Sequence, residues 1–227
     1  MRKVVYFSDM QYLQNALKNF NISSFAEKKV PVKLHMGEIK NKYYPKPEFV
    51  KVIIDELKNF KVDPFLFDTT VAYPGLRHYV SGYHQVARLH GFTTKKIGCD
   101  IVIDDSGIIQ NVDDRDYEVA WHIINSSHIF AISHVKGHVA SGMGGAIKNF
   151  GMGGVTKETK RKMHHGSRPV YTKDACTYCG VCAEVCPFGA IRMGSNLMPI
   201  IDPEKCTACG ICVMECPRQV LELLPRS

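Results

Sequence analysis

Apolar positions in the N-terminal two-thirds of the chain alternate between two periods. Residues 4–7, 30–36, 64–67, 101–103 and 129–132 form short apolar runs or alternations bounded by polar residues, and they read as strands. Between them lie helix-like stretches. Residues 12–20 put Leu13, Ala16 and Leu17 on one face. Pro47 opens a second helix, with Phe49, Val50, Ile53, Ile54 and Leu57 as its apolar stripe. Residues 79–90 form a third, stopped by Gly91, and residues 117–124 a fourth. Strands alternating with helices predict an α/β fold: a layered, mostly parallel sheet with helices on its faces.

In such sheets ligands settle at the carboxyl ends of the strands. Asp68 and the segment from Ser133 onward follow strands in this way, and Lys33, His35 and Glu38 could face the same cleft. Several single residues have plainer readings: Asp68 as a cap for the next turn, Trp121 as core, and Cys99 as a small buried residue at a strand start.

The cysteines change the picture. Eight of the nine fall into two copies of C-x2-C-x2-C-x3-C-P, thirty residues apart. Cys176, Cys179, Cys182 and Cys186 precede Pro187; Cys206, Cys209, Cys212 and Cys216 precede Pro217. This is the bacterial ferredoxin spacing for a pair of [4Fe-4S] clusters, in which the fourth cysteine of each run crosses to the other cluster. The expected sets are therefore Cys176, Cys179, Cys182 and Cys216 for one cluster, and Cys206, Cys209, Cys212 and Cys186 for the other. Gly180 and Gly210 recur at the same place in each copy, where the backbone must approach an inorganic core closely. Zinc ribbons also use C-x2-C pairs, but as two separated pairs rather than triplets followed by Cys-Pro.

Composition bounds the rest. At 227 residues the chain holds one medium domain and one small one. The cysteine-rich part is too short to bury a sufficient core and would draw folding energy from its clusters. The formal charge of +7 falls to roughly +3 once two clusters of about −2 each are counted. No lysine- and arginine-rich run with interleaved aromatics resembles a nucleic-acid module. No apolar stretch is long enough for a membrane span or an N-terminal signal. Thiolate ligands need a reducing setting, so the expected compartment is the cytoplasm.

Two segments invite a functional reading. Residues 133–154 hold seven glycines, two histidines and two lysines directly after a strand. Glycine at this density frees backbone amides to approach an anion or flat cofactor. His134, Lys136, His138, Gly142, Gly144, Gly145 and Lys148 are accordingly the candidate residues of an anion or cofactor site. His134 and His138 would share a face if the stretch is helical. The run is neither G-x-G-x-x-G nor a P-loop, and its glycines could instead serve close helix–sheet packing. Residues 155–173 carry a basic run that includes Lys157, Lys160, Arg161, Lys162, His164, His165, Arg168 and Lys173, with Thr156 as a helix cap. It reads either as a solvated inter-domain helix or as a docking face for an acidic redox partner or anionic ligand.

The glycine-rich stretch His134–Gly153, together with Lys33-Leu34-His35-Met36-Gly37-Glu38, Asp68-Thr69-Thr70 and Lys162-Met163-His164, resembles the signature of the DUF362 family. That resemblance implies an iron-sulfur protein of anaerobes, with an α/β domain joined to a small C-terminal 2[4Fe-4S] ferredoxin-like domain. It implies residues 1–154 as the α/β domain, 155–173 as a basic linker and 174–227 as the two-cluster segment. Such proteins continue into a further α/β stretch, whereas this sequence stops at Ser227. The family name assigns no activity. The expected function is electron transfer between a donor and a partner or small-molecule ligand of the α/β domain. The alternatives are a reductase with an anionic substrate in the α/β cleft, and a non-catalytic adaptor of a larger redox complex.

Overall fold

The computed structural model describes residues 4–138, 142–165, 168–171 and 175–223, with backbone alone at His138 and His165. Residues 4–7 form no strand: Val4 and Tyr6 stand in solvent, so their alternation has no sheet face to cover. After a short turn capped by Asp9, helix α1 (Leu13–Leu17) buries Leu13, Ala16 and Leu17 but is shorter than the pattern predicted. Strand β1 (Lys29–Leu34), helix α2 (Pro47–Asn59) and strand β2 (Asp63–Asp68) follow. Pro47 sits at the start of α2, and Val50, Ile53, Ile54 and Leu57 are buried. Each such side chain contributes about 1.5–3 kcal/mol when fully removed from water.

Helix α3 (Val80–Leu89) ends before Gly91, whose φ of +87° suits glycine, and the short α4 (Thr94–Ile97) leads to β3 (Ile101–Ile103). The predicted helix over 117–124 is half strand. β4 (Gly107–Val112) and β5 (Arg115–Ala120) pair as an antiparallel hairpin, and only α5 (Trp121–Ile124) is helical. Tyr117 and Val119 are β-formers, and the pairing across the hairpin overrides the helical reading. Trp121 is 47% exposed and not core. β6 (Phe130–Ile132) completes the main sheet.

That sheet has the order β3-β2-β1-β6, and every pairing in it is parallel. The protein is thus α/β, with helices flanking a parallel sheet. Both faces are covered, which explains the nearly continuous burial along β1 and β2. Along β2 the faces alternate: Leu66 joins the large core with α1, α2 and α3, while Phe65 and Phe67 meet Ala120 and Ile123 on the other side. Because the strands run one way, Leu34, Asp68, Ile103 and Ile132 all end at one edge of the sheet.

The chain then forms a second hairpin, β7 (Lys136–His138) with β8 (Gly142–Gly144), and the helices α6 (Ala146–Gly151) and α7 (Lys157–His165). The C-terminal part repeats a unit. β9 (Pro169–Tyr171), α8 (Val181–Glu184) and β10 (Ile191–Met193) recur thirty residues on as β11 (Pro199–Ile201), α9 (Ile211–Met214) and β12 (Leu221–Leu223). β10 pairs with β11 and β12 with β9, so the two units exchange strands and share one small core. The left-handed residues repeat as well: Tyr178 with Ala208, Gly180 with Gly210, Gly189 with Gln219.

Candidate functional site

Two arrangements of chemistry-bearing side chains stand out, and a glycine-rich hairpin adjoins the first. The first lies at the carboxyl edge of the parallel sheet. Lys33, the penultimate residue of β1, is 1% exposed, and its Nζ lies 2.6 Å from Oδ1 of Asp68, the last residue of β2. Asn149 of α6 accepts from the same Nζ at 2.9 Å and donates through Nδ2 to Ser133 Oγ and Ile132 O, which ties the glycine-rich segment to the strand ends. Gly153 must be small, since a Cβ there would stand 2.3 Å from Asn149 O and 2.7 Å from Lys33 Nζ.

The other Asp68 oxygen accepts the Tyr83 hydroxyl and lies 3.5 Å from Arg77 Nη2. Arg77 stacks 4.1 Å over the Tyr83 ring, and its Nη1 lies 2.6 Å from Glu38 Oε1. Tyr73 donates to the same Glu38 oxygen. From α7, Lys160 reaches in and donates to Thr69 Oγ1 and the Thr70 carbonyl. Asp68 is therefore the hub of an ion-pair network and not merely a turn cap, although its Oδ1 also accepts the Thr69 N–H.

Burial alone would raise the Asp68 carboxyl, but Lys33 and Arg77 outweigh it and hold the group below the usual range. Burial, and then Arg77, pull His35 down to about 3, so its imidazole is neutral. Burial brings the Lys160 ammonium down to about 7 and pushes the Tyr73 and Tyr83 phenols up. The strand ends made Lys33, His35, Glu38 and Asp68 visible in the sequence. Tyr73, Arg77, Tyr83 and Asn149 were missed, and Lys160 was expected only as part of the basic run. Lys160 had one signal: Thr156, Thr159 and Lys160 fall on a single helical face, and all three are buried. Lys160 is thus turned inward and is no part of a solvated face, while Thr156 caps α7 through the Thr159 N–H at 3.5 Å.

The glycine-rich candidates are only partly brought together. They form a hairpin, so His134 and His138 share no helix face. His134 is exposed, with Nδ1 3.1 Å from Tyr43 O. Lys136 pairs in register with Gly144, its side chain running past that glycine, and burial together with Lys136 lowers the Lys148 ammonium. Gly142 takes a left-handed φ of +69°, and Gly145 precedes α6 in extended backbone. Val139, Ala140 and Ser141 of this segment lie outside the described residues, as does Lys173 of the basic run.

The second arrangement is the cysteine repeat. Two cavities open there. Cys206, Cys209, Cys212 and Cys186 line the first; Cys176, Cys179, Cys182 and Cys216 line the second. Each cavity takes three thiols from one run and the fourth from the other, because the exchanged strands carry the fourth cysteine across. Among the described residues, no three His, Cys, Asp or Glu side chains gather around one ion-sized point. The Ala190 N–H donates to Cys186 Sγ at 3.3 Å. At the equivalent place burial would raise Cys216, but the N–H groups of Val220, Arg218 and Gln219 outweigh it and lower the thiol. Burial pushes Cys212 up to about 11, with the opposing Cys209 and Cys206 thiols adding to it. The ninth cysteine, Cys99, is buried just before β3, and burial raises it to about 11, as suits an inert core thiol.

A parallel α/β sheet with a buried ion-pair network at its carboxyl edge, followed by a strand-exchanged cysteine repeat, defines the class of protein. The sequence matches the family described as "Domain of unknown function (DUF362)" over residues 30–214, and the chain belongs to that family. No curated protein matches it. No helix among the described residues is long and apolar enough to cross a membrane.

Proposed function

We propose that this is an electron-transfer protein carrying two [4Fe-4S] clusters, one in each four-cysteine cavity. The observation that carries the reading is the lining of each cavity by three thiols of one run and the fourth of the other. The donor set fits the group: four sulfur ligands per cavity, left-handed residues that wrap the loop at matching places, and backbone N–H groups aimed at Cys186 and Cys216 Sγ. Thiols whose ionisation burial opposes, such as Cys212, become thiolates when a cationic iron core faces them. When bound, each cluster supplies a reversible one-electron carrier. The protein's part is to hold the thiolates, donate hydrogen bonds to sulfur and keep water from the cavity walls.

Electrons would pass between an external donor and either a partner or a ligand of the α/β domain. The basic residues of α7 that point outward, such as Arg161 and Lys162, suit an acidic redox partner, and the thiolate chemistry suits a reducing cytoplasm. A reductase reading has one observation in its favour, the buried ion-pair network that reaches the first cavity through Tyr73 and Phe188. Iron and sulfide counts on anaerobically purified protein, with electron paramagnetic resonance after dithionite reduction, test the proposal. About eight irons and a reducible signal are expected; far fewer irons and no signal sink it.

A further inference from the structure

The two cysteine runs have nearly the same sequence but not the same surroundings. Cys176-Thr177-Tyr178-Cys179-Gly180-Val181-Cys182 differs from Cys206-Thr207-Ala208-Cys209-Gly210-Ile211-Cys212 at two positions, Tyr178 against Ala208 and Val181 against Ile211. The backbones match as well. Tyr178 and Ala208 have φ of +57° and +49°, and Gly180 and Gly210 have φ of +77° and +79°. A difference in exposure between the loops therefore comes from what covers each of them, not from their own conformation.

The first loop faces solvent and the second does not. Thr177, Tyr178 and Cys179 are all exposed, Tyr178 at 45%. At the equivalent places Thr207 and Cys209 are half-buried, Ala208 is 3% exposed, and Thr207 Oγ1 is shielded from solvent. Cys212 is 8% exposed, whereas its counterpart Cys182 is half-buried. The cavity walls differ in the same sense. Tyr178 and Arg218 line the cavity of Cys176, Cys179, Cys182 and Cys216, and both are exposed, so single side chains stand between that cavity and water. Among the described residues, no charged side chain lines the other cavity. Its Phe188 is turned to Tyr73, with ring centroids 5.9 Å apart, and Tyr73 belongs to the polar edge of the α/β sheet.

We propose that the cavity of Cys176, Cys179, Cys182 and Cys216 is the port at which electrons enter and leave the protein, with Tyr178 at its mouth. The cavity of Cys206, Cys209, Cys212 and Cys186 is then the inner station, facing the α/β sheet. This rests on the electron-transfer reading and adds an order to it. Electron exchange slows steeply as the insulating protein between donor and acceptor thickens, so a site behind one exposed ring outruns a site behind a covered loop. The partner is a one-electron carrier. It loses one electron, which is taken up behind Tyr178 and shared with the inner cavity; no bond forms and no proton moves.

The test uses the full chain, purified anaerobically, with iron and sulfide counted first. Their absence would overturn both readings, whereas every outcome below bears on the port alone. In the wild type, ferricyanide and a chelator remove iron until about half is lost, and the freed thiols are alkylated and mapped by peptide mass spectrometry. Cys176, Cys179, Cys182 and Cys216 should carry several-fold more label than Cys186, Cys206, Cys209 and Cys212; equal labelling, or the reverse, overturns the proposal. Electron exchange is followed separately by stopped flow. Dithionite-reduced protein passes single electrons to anionic ferricyanide or to cationic hexaamminecobalt(III), which become ferrocyanide and cobalt(II). A negative charge at the port repels the first oxidant and attracts the second, most strongly at low ionic strength. Tyr178→Glu should therefore slow ferricyanide and speed the cobalt complex several-fold, with iron content unchanged. Ile109→Glu should move neither rate, since Ile109 is exposed on β4 and no residue of that strand lines either cavity. Rates in Tyr178→Glu that match those in Ile109→Glu overturn the proposal. Should Tyr178→Glu lose iron, the labelling of the wild type decides alone.

Discussion

The ring of Tyr73 lies 5.9 Å, centroid to centroid, from that of Phe188. Tyr73 donates to Glu38 in the ion-pair network, and Phe188 lines the cavity that holds Cys186, Cys206, Cys209 and Cys212. One aromatic contact therefore joins the polar edge of the sheet to the cysteine repeat. Removing the Phe188 ring should admit water to that cavity alone. With the proposed clusters in place, one of the two midpoint potentials should rise in Phe188→Ala, since water favours the more highly charged reduced state. A redox titration followed by electron paramagnetic resonance checks this; two unmoved potentials would refute it.

The crossing of the fourth cysteines gives a sharper expectation. Cys216→Ala should spoil the centre lined by Cys176, Cys179 and Cys182, although Cys216 belongs to the other run. About half the iron should be lost or converted, with the remaining signal arising from the Cys206 cavity. Loss of the signal assigned to Cys206, Cys209 and Cys212 instead would mean that each run holds its own centre.

Asp68→Asn should be among the most damaging changes in the α/β part. It leaves Lys33 and Arg77 without their shared buried carboxylate, and breaking such a pair costs about 3–5 kcal/mol. Urea denaturation of the two proteins measures the difference. A loss below about 1 kcal/mol would show that the network is not stabilised through Asp68.

Acid should weaken the fold before the carboxylates titrate. His35 takes a proton near 6.5 when unfolded but only near 3 when folded. Between these values the unfolded chain holds more protons. Stability is thus full above about pH 6.5 and falls as pH drops towards 3, by up to about 1.4 kcal/mol per pH unit. His78, His84 and His122 are lowered by burial too and add to the slope. His35→Gln should therefore reduce the slope without abolishing it, as read from denaturation midpoints between pH 7 and 4.

Gly37→Ala tests the turn after β1. Gly37 has φ +92°, and a Cβ would stand 2.7 Å from His90 Nδ1 and 2.8 Å from the Tyr44 ring. Both rings are fixed, stacked at 4.3 Å with His90 bonded to Met36 O, so neither can give way cheaply. A loss of about 1–3 kcal/mol is expected, measured as a lowered thermal midpoint.

How much of this was legible in the sequence depended on the range of the interaction involved. Local rules sufficed where the signal is local. Pro47 and the stripe at Val50, Ile53, Ile54 and Leu57 define α2, and the cysteine spacing foretold which four thiols share a cavity. They failed where pairing overrides propensity: residues 4–7 found no neighbouring strand, Tyr117–Ala120 found one in Gly107–Val112, and the histidines expected on one helix face went into a hairpin. The sequence by itself determined the α/β alternation, the position of the strand ends and the twofold cysteine repeat, because periodicity and spacing act within a few residues. Only the tertiary structure decided that Arg77, Tyr83, Asn149 and Lys160 converge on Lys33 and Asp68, since a buried charge is placed by partners distant along the chain. Lys33 and Asn149 stand 116 positions apart, and Lys160 and Thr69 stand 91. No local pattern encodes such meetings; they follow from stacking parallel strands so that their carboxyl ends share one edge.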